Sequence, residues 1–277
     1  MIGARHPILG RLRRLSRQPA ARREEGAYVI DGPTLLDEAV SAGVVIEEVV
    51  AEPTALEPLL ERLRAAGVIV HQAATGALAK AVATVTPQPL AAVARFEDLT
   101  VHQVLDRLAE PSVVLVLVGV NDPGNAGTLL RSAEASGVGA VMFCDDSVDP
   151  FNPKCVRASS GSLFRLPVVR DAVGIDAVRL LQERGVVCLG TVARGGVPYD
   201  EIAYGSPTAI VLGNEANGLP EAIQSRLDQL ATIPMQSPVE SLNVAMAGTL
   251  LAFEAARQFR RNRLDVSPPT GAGFNPR

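Results

Sequence analysis

The chain has 277 residues, 47% of them hydrophobic but only 4% aromatic and without Trp, enough for one or two domains of Ala/Val/Leu-rich α/β type. No apolar run nears the roughly 20 residues of a membrane span, and the basic first stretch lacks the apolar core of a secretion signal, so a cytoplasmic protein with no membrane association is expected. Cys144, Cys155 and Cys188 form no CxxC pair and His6, His71 and His102 are scattered, which argues against a disulfide framework, a metal centre and a His-based triad; a net charge of −4 excludes a polycation.

The charge is unevenly spread. Arg5, Arg11, Arg13, Arg14, Arg17, Arg22 and Arg23 crowd the first 25 residues, opposed only by Glu24 and Glu25. Residues 1–20 therefore read as a basic arm, either solvated or in contact with phosphate. Alternating signals follow. A strand is predicted over 28–30, a helix over 33–42 started by Pro33 and stopped by Gly43, and a strand over 45–51. A helix over 55–66, a strand over 68–71, a short helix over 77–83 and a strand over 90–95 complete a small α/β domain spanning 21–96. It carries no catalytic constellation, so its expected job is binding. Residues 97–110 read as a linker with a helix over 101–108.

A second alternating series fills 111–262, opening with an unbroken apolar run at 113–118 that suits a parallel strand buried on both faces. A helix over 127–136, a strand over 140–144 and a helix over 171–184 follow, then strands over 186–189, 209–212 and 231–234. The last helix is expected from about 242 to 261, with Ser241 as its N-cap and Asn243 in its first turn. Leu242, Met246, Leu250 and Phe253 fall on one face of it. Residues 263–277 form a Pro/Gly-rich tail expected to be disordered.

Three loops at strand ends gather the chemistry. The first runs from Gly119 through Asn125 to a helix carrying Arg131; six residues separate these two, so a long side chain can lean back toward the helix start. That loop holds neither GxGxxG nor GxxxxGK[ST], so no dinucleotide or P-loop site is supported. In the second loop Gly213 allows close approach to the backbone and Glu215 sets a carboxylate at the strand end. The third joins Ile233-Pro234-Met235 to Ser241-Leu242-Asn243. In open α/β sheets ligands bind at this edge, outside the carboxyl ends of the strands.

Asn125-x-Gly127-x-x-x-Arg131, Leu212-Gly213-Asn214-Glu215-x-x-Gly218-Leu219 and Ile233-Pro234-Met235…Ser241-Leu242-Asn243-Val244 together resemble the three ordered motifs of the TrmH (SpoU) branch of SPOUT RNA methyltransferases. The resemblance spans roughly 111–261. Residues 10–96 are similar to the substrate-binding domain often placed before that catalytic domain, with Arg22-Arg23-Glu24-Glu25-Gly26 and Ile30-Asp31-Gly32 as its opening. Asp31 stands where Glu is more common, and Ala216 where the family usually has Gly, which touches on that loop's backbone freedom.

The resemblance implies a parallel sheet with a deep trefoil knot, a homodimer with its site near the subunit interface, and S-adenosylmethionine as cofactor. It implies methylation of a ribose 2′-hydroxyl in structured RNA, ribosomal RNA being favoured over transfer RNA because of the extra domain. A non-catalytic RNA- or ribosome-binding protein that keeps the fold is the alternative from another class. Leu212, Gly213, Ile233, Met235, Ser241 and Leu242 are the implied cofactor contacts. Arg131, Asn125, Glu215, Ser241 and Asn243 are the implied catalytic group. An arginine guanidinium stays protonated in ordinary surroundings and suits gripping a phosphate and orienting the ribose. Arg131 and Glu215 both stay open as proton acceptor.

Overall fold

The computed structural model describes residues 1–3, 5–83, 88–109, 112–205, 207–236 and 241–266. Its first element lies where the sequence suggested an arm. Ile8, Leu9, Leu12 and Leu15 recur at helical spacing and form the buried stripe of α1 (Pro7–Arg17). The arginines dominate the composition of this stretch, but the four apolar side chains decide its structure: α1 packs down on the sheet instead of trailing into solvent. α2 (Pro19–Glu25) stops at Gly26, whose φ of 60° is a left-handed cap.

The first domain continues with β1 (Ala27–Asp31), α3 (Pro33–Ser41), β2 (Ile46–Ala51), α4 (Glu57–Ala65), β3 (Ile69–Gln72) and β4 (Leu90–Arg95). Its sheet has the order β1-β4-β2-β3, with β4 antiparallel to both neighbours and β2 parallel to β3. The helix expected over 77–83 is only a 3-10 turn, Leu78–Lys80. The Glu52 carboxylate holds it by accepting from the N–H groups of Gly76 and Leu78 at 3.0 and 2.8 Å.

The stretch read as a linker belongs to the second domain's packing. Thr100 and Gln103 form a capping box that starts α5 (Val101–Arg107), and Val104 and Leu105 are buried in that domain's core together with Leu99. The second domain comprises β5 (Val113–Val118), α6 (Pro123–Ser136), β6 (Ala140–Cys144), α7 (Pro153–Ala158), β7 (Val168–Ala172), α8 (Gly174–Glu183) and β8 (Val187–Thr191). It ends with β9 (Val197–Pro198), β10 (Thr208–Leu212), α9 (Glu221–Gln224), β11 (Gln229–Thr232) and α10 (Val244–Val266). The helix thus continues through residues assigned to the tail; 267–277 lie outside the described residues.

The seven strands stand in the order β7-β6-β5-β10-β8-β11-β9, and every neighbouring pair is parallel. β5 and β10 sit centrally with every residue buried, as parallel strands covered by helices on both faces must be. α6 begins four residues before the expected start, because Pro123 takes the first helical position and Asp122 caps it, accepting from the Asn125 N–H at 2.8 Å. β7 occupies the first residues of the helix expected over 171–184, which starts only at Gly174.

The two domains share one core. Phe96 stacks on Phe151 at 4.2 Å between ring centres, and Tyr28 meets Phe151 at 4.9 Å. Arg22, buried, donates to Asp149 Oδ2 and to the Leu15 carbonyl, both at 2.7 Å, and Arg157 reaches Asp31 at 3.5 Å. Arg22 and Asp31, the markers of the first domain's opening motif, are therefore bolts between domains. The site-bearing loops all emerge at one edge of the larger sheet.

Candidate active site

The loops following β5, β10 and β11 leave the carboxyl ends of their strands and meet there. Glu215 is the hub. Its carboxylate accepts from Asn125 Nδ2 at 3.0 Å and from the backbone N–H groups of Asn121 and Asp122 at 3.3 Å each. Asn125 is bound in turn: its Oδ1 accepts from Asn243 Nδ2 at 2.9 Å. One continuous chain, Asn243–Asn125–Glu215, thus ties the third loop to the first and the first to the second.

Burial pushes the Glu215 carboxyl up, but the hydrogen bonds from Asn125, from its own N–H and from those of Asp122 and Asn121 outweigh it and hold the group below the usual carboxylate range. A carboxylate so fully engaged is a brace.

Asn214 does the same for the backbone. Its Nδ2 donates to the Gly119 carbonyl at 2.7 Å, and its Oδ1 accepts from the N–H groups of Ala216 and Asn217 at 2.9 and 3.1 Å. The left-handed position of this loop is Gly218, at φ 66°, and Ala216 is not among the residues of positive φ. An alanine at 216 therefore costs the loop nothing.

Behind this network lies a cleft of about 540 Å³. Gly213, Ile233, Met235, Ser241 and Leu242, all expected as cofactor contacts, line it together with Glu215. Leu212 does not line it. As the last residue of β10 it is fully buried beneath the loop and packs against the helix at Gly248, where an added Cβ would stand 2.7 Å from Leu212 Cδ1. Val244, Ala247 and Leu251 of α10 supply another wall. Thr191 and Arg194 line the cleft too, although nothing in the sequence singles them out, since they stand at and after a strand end with no motif of their own.

The glycines of the motifs have packing reasons. A Cβ on Gly213 would lie 2.3 Å from the Gly218 carbonyl carbon and 2.4 Å from the Leu219 nitrogen, so the loop closes on its own backbone there. At Gly127 it would meet Ala158 Cβ at 2.3 Å, which is where α6 crosses α7.

Two catalytic expectations change place. Ser241 is not the cap of the last helix: α10 starts at Val244, and Asn243 Oδ1 accepts from the N–H groups of Ala245 and Met246 at 2.9 and 3.4 Å. Asn243 is thus a cap and a link to Asn125 at once, while Ser241 is an exposed wall of the cleft. Residues 237–240 of this loop lie outside the described residues. Arg131 is exposed on α6, is not a lining residue of the cleft, and has no hydrogen bond or ion pair to any described residue. The structure brings Asn125, Glu215 and Asn243 together and leaves Arg131 apart. No group of three His, Cys, Asp or Glu side chains among the described residues is placed to hold a metal ion.

The chain is similar to known proteins over most of its length. Residues 112–253 match the model of the SpoU rRNA methylase family, and residues 7–92 that of the MRM3-like substrate binding domain. The chain is 35% identical over 233 residues to the 23S rRNA (guanosine(2553)-2′-O)-methyltransferase RlmP of Bacillus subtilis, covering 84% of this chain and 89% of that one. To the 23S rRNA (guanosine-2′-O-)-methyltransferase RlmB of Xylella fastidiosa it is 34% identical, over 77% of this chain and 88% of the other. The fold is similar to that of an AdoMet-bound rRNA methyltransferase from Sinorhizobium meliloti, with a TM-score of 0.82, 29% identity, and 93% and 97% of the two chains covered. It is similar also to the AdoMet complex of the SpoU methyltransferase AviRb from Streptomyces viridochromogenes, at a TM-score of 0.82, 26% identity, and 92% and 99% covered.

Proposed function

This chain belongs to the SpoU rRNA methylase family, and we propose that its cleft serves the S-adenosylmethionine-dependent methylation of a guanosine ribose 2′-hydroxyl in 23S ribosomal RNA. The observation that carries this reading is the Asn243–Asn125–Glu215 chain, which unites all three motifs beside the cleft. The walls suit the cofactor's chemistry. Leu219, Ile233, Leu242, Val244 and Leu251 offer apolar surface to a flat base, while Thr191, Asn214, Ser241 and Gln224 offer polar groups for a ribose and an amino-acid moiety. S-adenosylmethionine, when bound, supplies a methyl group already activated by its sulfonium.

The chain's own residues must align the ribose oxygen and keep it there. Glu215 fixes the loop geometry and takes no proton, because its lone pairs are committed to N–H donors. Arg131, with its donors unengaged by described residues, grips the phosphate and orients the ribose.

The active form is a homodimer. Met246, Leu250 and Phe253 on α10 and Leu242 just before it are 59, 39, 42 and 37% exposed, an apolar stripe rarely left to water. A second copy covering it also explains why Arg131 stands outside its own chain's cleft: the site is completed across two chains. Met246→Glu combined with Phe253→Glu should turn the dimer into a monomer in light scattering; a variant that stays dimeric excludes this face. The C-terminal segment threads through a loop as a knot, a reading supported by the place of β11 between β8 and β9 although both precede it, with Gly196 pressed on the backbone of residues 230–232. The enzyme works in the cytoplasm, where its substrate is assembled.

The test is a map of ribose methylation across ribosomal RNA from cells with and without the protein. Loss of a single guanosine mark in 23S RNA, restored by the wild type, is expected. An unchanged map overturns the reading.

A further inference from the structure

Of the seven arginines in the first 25 residues, Arg5 lies exposed in the turn before α1, and the other six fall into two sets once their partners are known. Arg11 is held by Glu25, Glu47 and Glu48 at 2.7, 2.6 and 3.3 Å, and Arg14 by Glu25 at 2.5 Å. Arg22 is buried on Asp149, and Arg23 pairs with Asp171 at 2.9 Å. These four are structural. Arg13 and Arg17 are different: both are exposed, and neither forms an ion pair with a described residue.

They stand one turn apart at i and i+4 on the flank of α1, a spacing at which like charges repel. Lys80 joins them. Arg13 Nε donates to the Lys80 carbonyl at 3.0 Å, which fastens the 3-10 turn beside the helix, and Lys80 is likewise exposed, with no ion pair to a described residue. Three cations thus share a surface that no carboxylate among the described residues neutralises.

Gly10 is the second, independent observation. It lies mid-helix, three residues before Arg13, and a Cβ added there would meet nothing within 4 Å. Neither packing nor a left-handed backbone requires it, yet glycine inside a helix is destabilising relative to alanine. What its missing side chain leaves is bare backbone beside the cations, over which a partner can approach closely. This surface is on the outer layer of the first domain. α1 covers one face of the sheet with Val29 and Val93, whereas Tyr28, Ile30 and Ala92 on the other face enter the core shared with the second domain.

We propose that the outer side of α1 around Gly10, Arg13 and Arg17, together with Lys80, is a phosphate-docking surface for the sugar–phosphate backbone of the substrate RNA. The proposal rests on the ribosomal-RNA reading above and adds to it where the first domain takes hold. Such contacts carry no sequence information; they set affinity and register, and they are read out by salt.

The experiment uses full-length protein and in vitro transcribed 23S RNA, with affinity measured across a series of KCl concentrations. In the triple variant Arg13→Gln/Arg17→Gln/Lys80→Gln the slope of log K against log salt should shrink by about two to three, at roughly 0.7–0.9 for each phosphate no longer neutralised. Arg14→Gln, which removes an already paired cation, should leave the slope close to wild type. Gly10→Leu should weaken binding severalfold at unchanged charge. Unaltered S-adenosylmethionine affinity in all variants shows that the catalytic domain is intact. A triple variant with the wild-type slope overturns the docking surface while leaving the methyltransferase reading untouched. A wild type without salt-dependent RNA binding overturns both.

Discussion

Glu215 and Arg131 differ in how their polar atoms are engaged. Two backbone N–H groups and the Asn125 amide already donate to the Glu215 carboxylate, so Glu215→Gln should reduce methyl transfer by about tenfold by loosening the loops; loss of a general base would cost roughly 10²–10⁴. Its acidity has a testable sign. The folded-state pKa is depressed, so the bracing is present above the ordinary glutamate value near about 4.3 and is lost only as pH falls through the lower folded value. Between about pH 6 and 9 the kcat profile of Glu215→Gln should therefore keep the wild-type shape; a vanished limb in that window would make Glu215 the base. Arg131 has the opposite character. Arg131→Lys keeps the charge but loses the planar fork, and in single-turnover methylation at saturating RNA it should fall nearly as far as Arg131→Ala, about a hundredfold or roughly 3 kcal/mol. A Lys variant of normal rate would mean that a point charge suffices.

At the scale of elements, the loop after β10 is shaped by contact with itself. Gly213→Val would drive a side chain into the backbone at Gly218 and Leu219, so calorimetry should find S-adenosylmethionine affinity down by more than about tenfold in a protein that still melts cooperatively. Unchanged affinity would mean that the loop opens without harm to the cleft. The strands written as short unbroken apolar runs, β5, β6 and β10, and the periodic helix α8 were legible in the chain. So were the three strand-end loops, because Gly, Asn and Pro cluster there. What could not be read were features fixed by distant partners. β9 is two residues long and exists only because β11 pairs with it. α7 is a short Pro-started turn packed against α6 and β1, with no period of its own. The cap of α10 passed from Ser241 to Asn243 because Asn243 also binds Asn125, 118 residues away in sequence. Arginine-rich composition hid the amphipathic α1, whose four apolar residues outweigh its charges.

In the whole molecule, the first domain is held as firmly as any internal layer. Arg22 is 2% exposed and ties α2 to the loop before α7, so Arg22→Ala leaves Asp149 without its partner inside the interface. Chemical denaturation should show a loss of about 3 kcal/mol. A loss below about 1 kcal/mol would mean that the aromatic contacts of Phe96 and Phe151 hold the domains without it. The order in which these parts are made has a consequence of its own. Translation delivers the first domain before Val244, Ala247 and Leu251, which wall the cleft from α10. A chain halted before α10 would lack both that wall of the cleft and part of the core that the two domains share. Fragments ending before residue 244 should thus lose cooperative unfolding in chemical denaturation, because Ala245, Leu251, Ala252 and Ala255 of α10 are missing from the shared core.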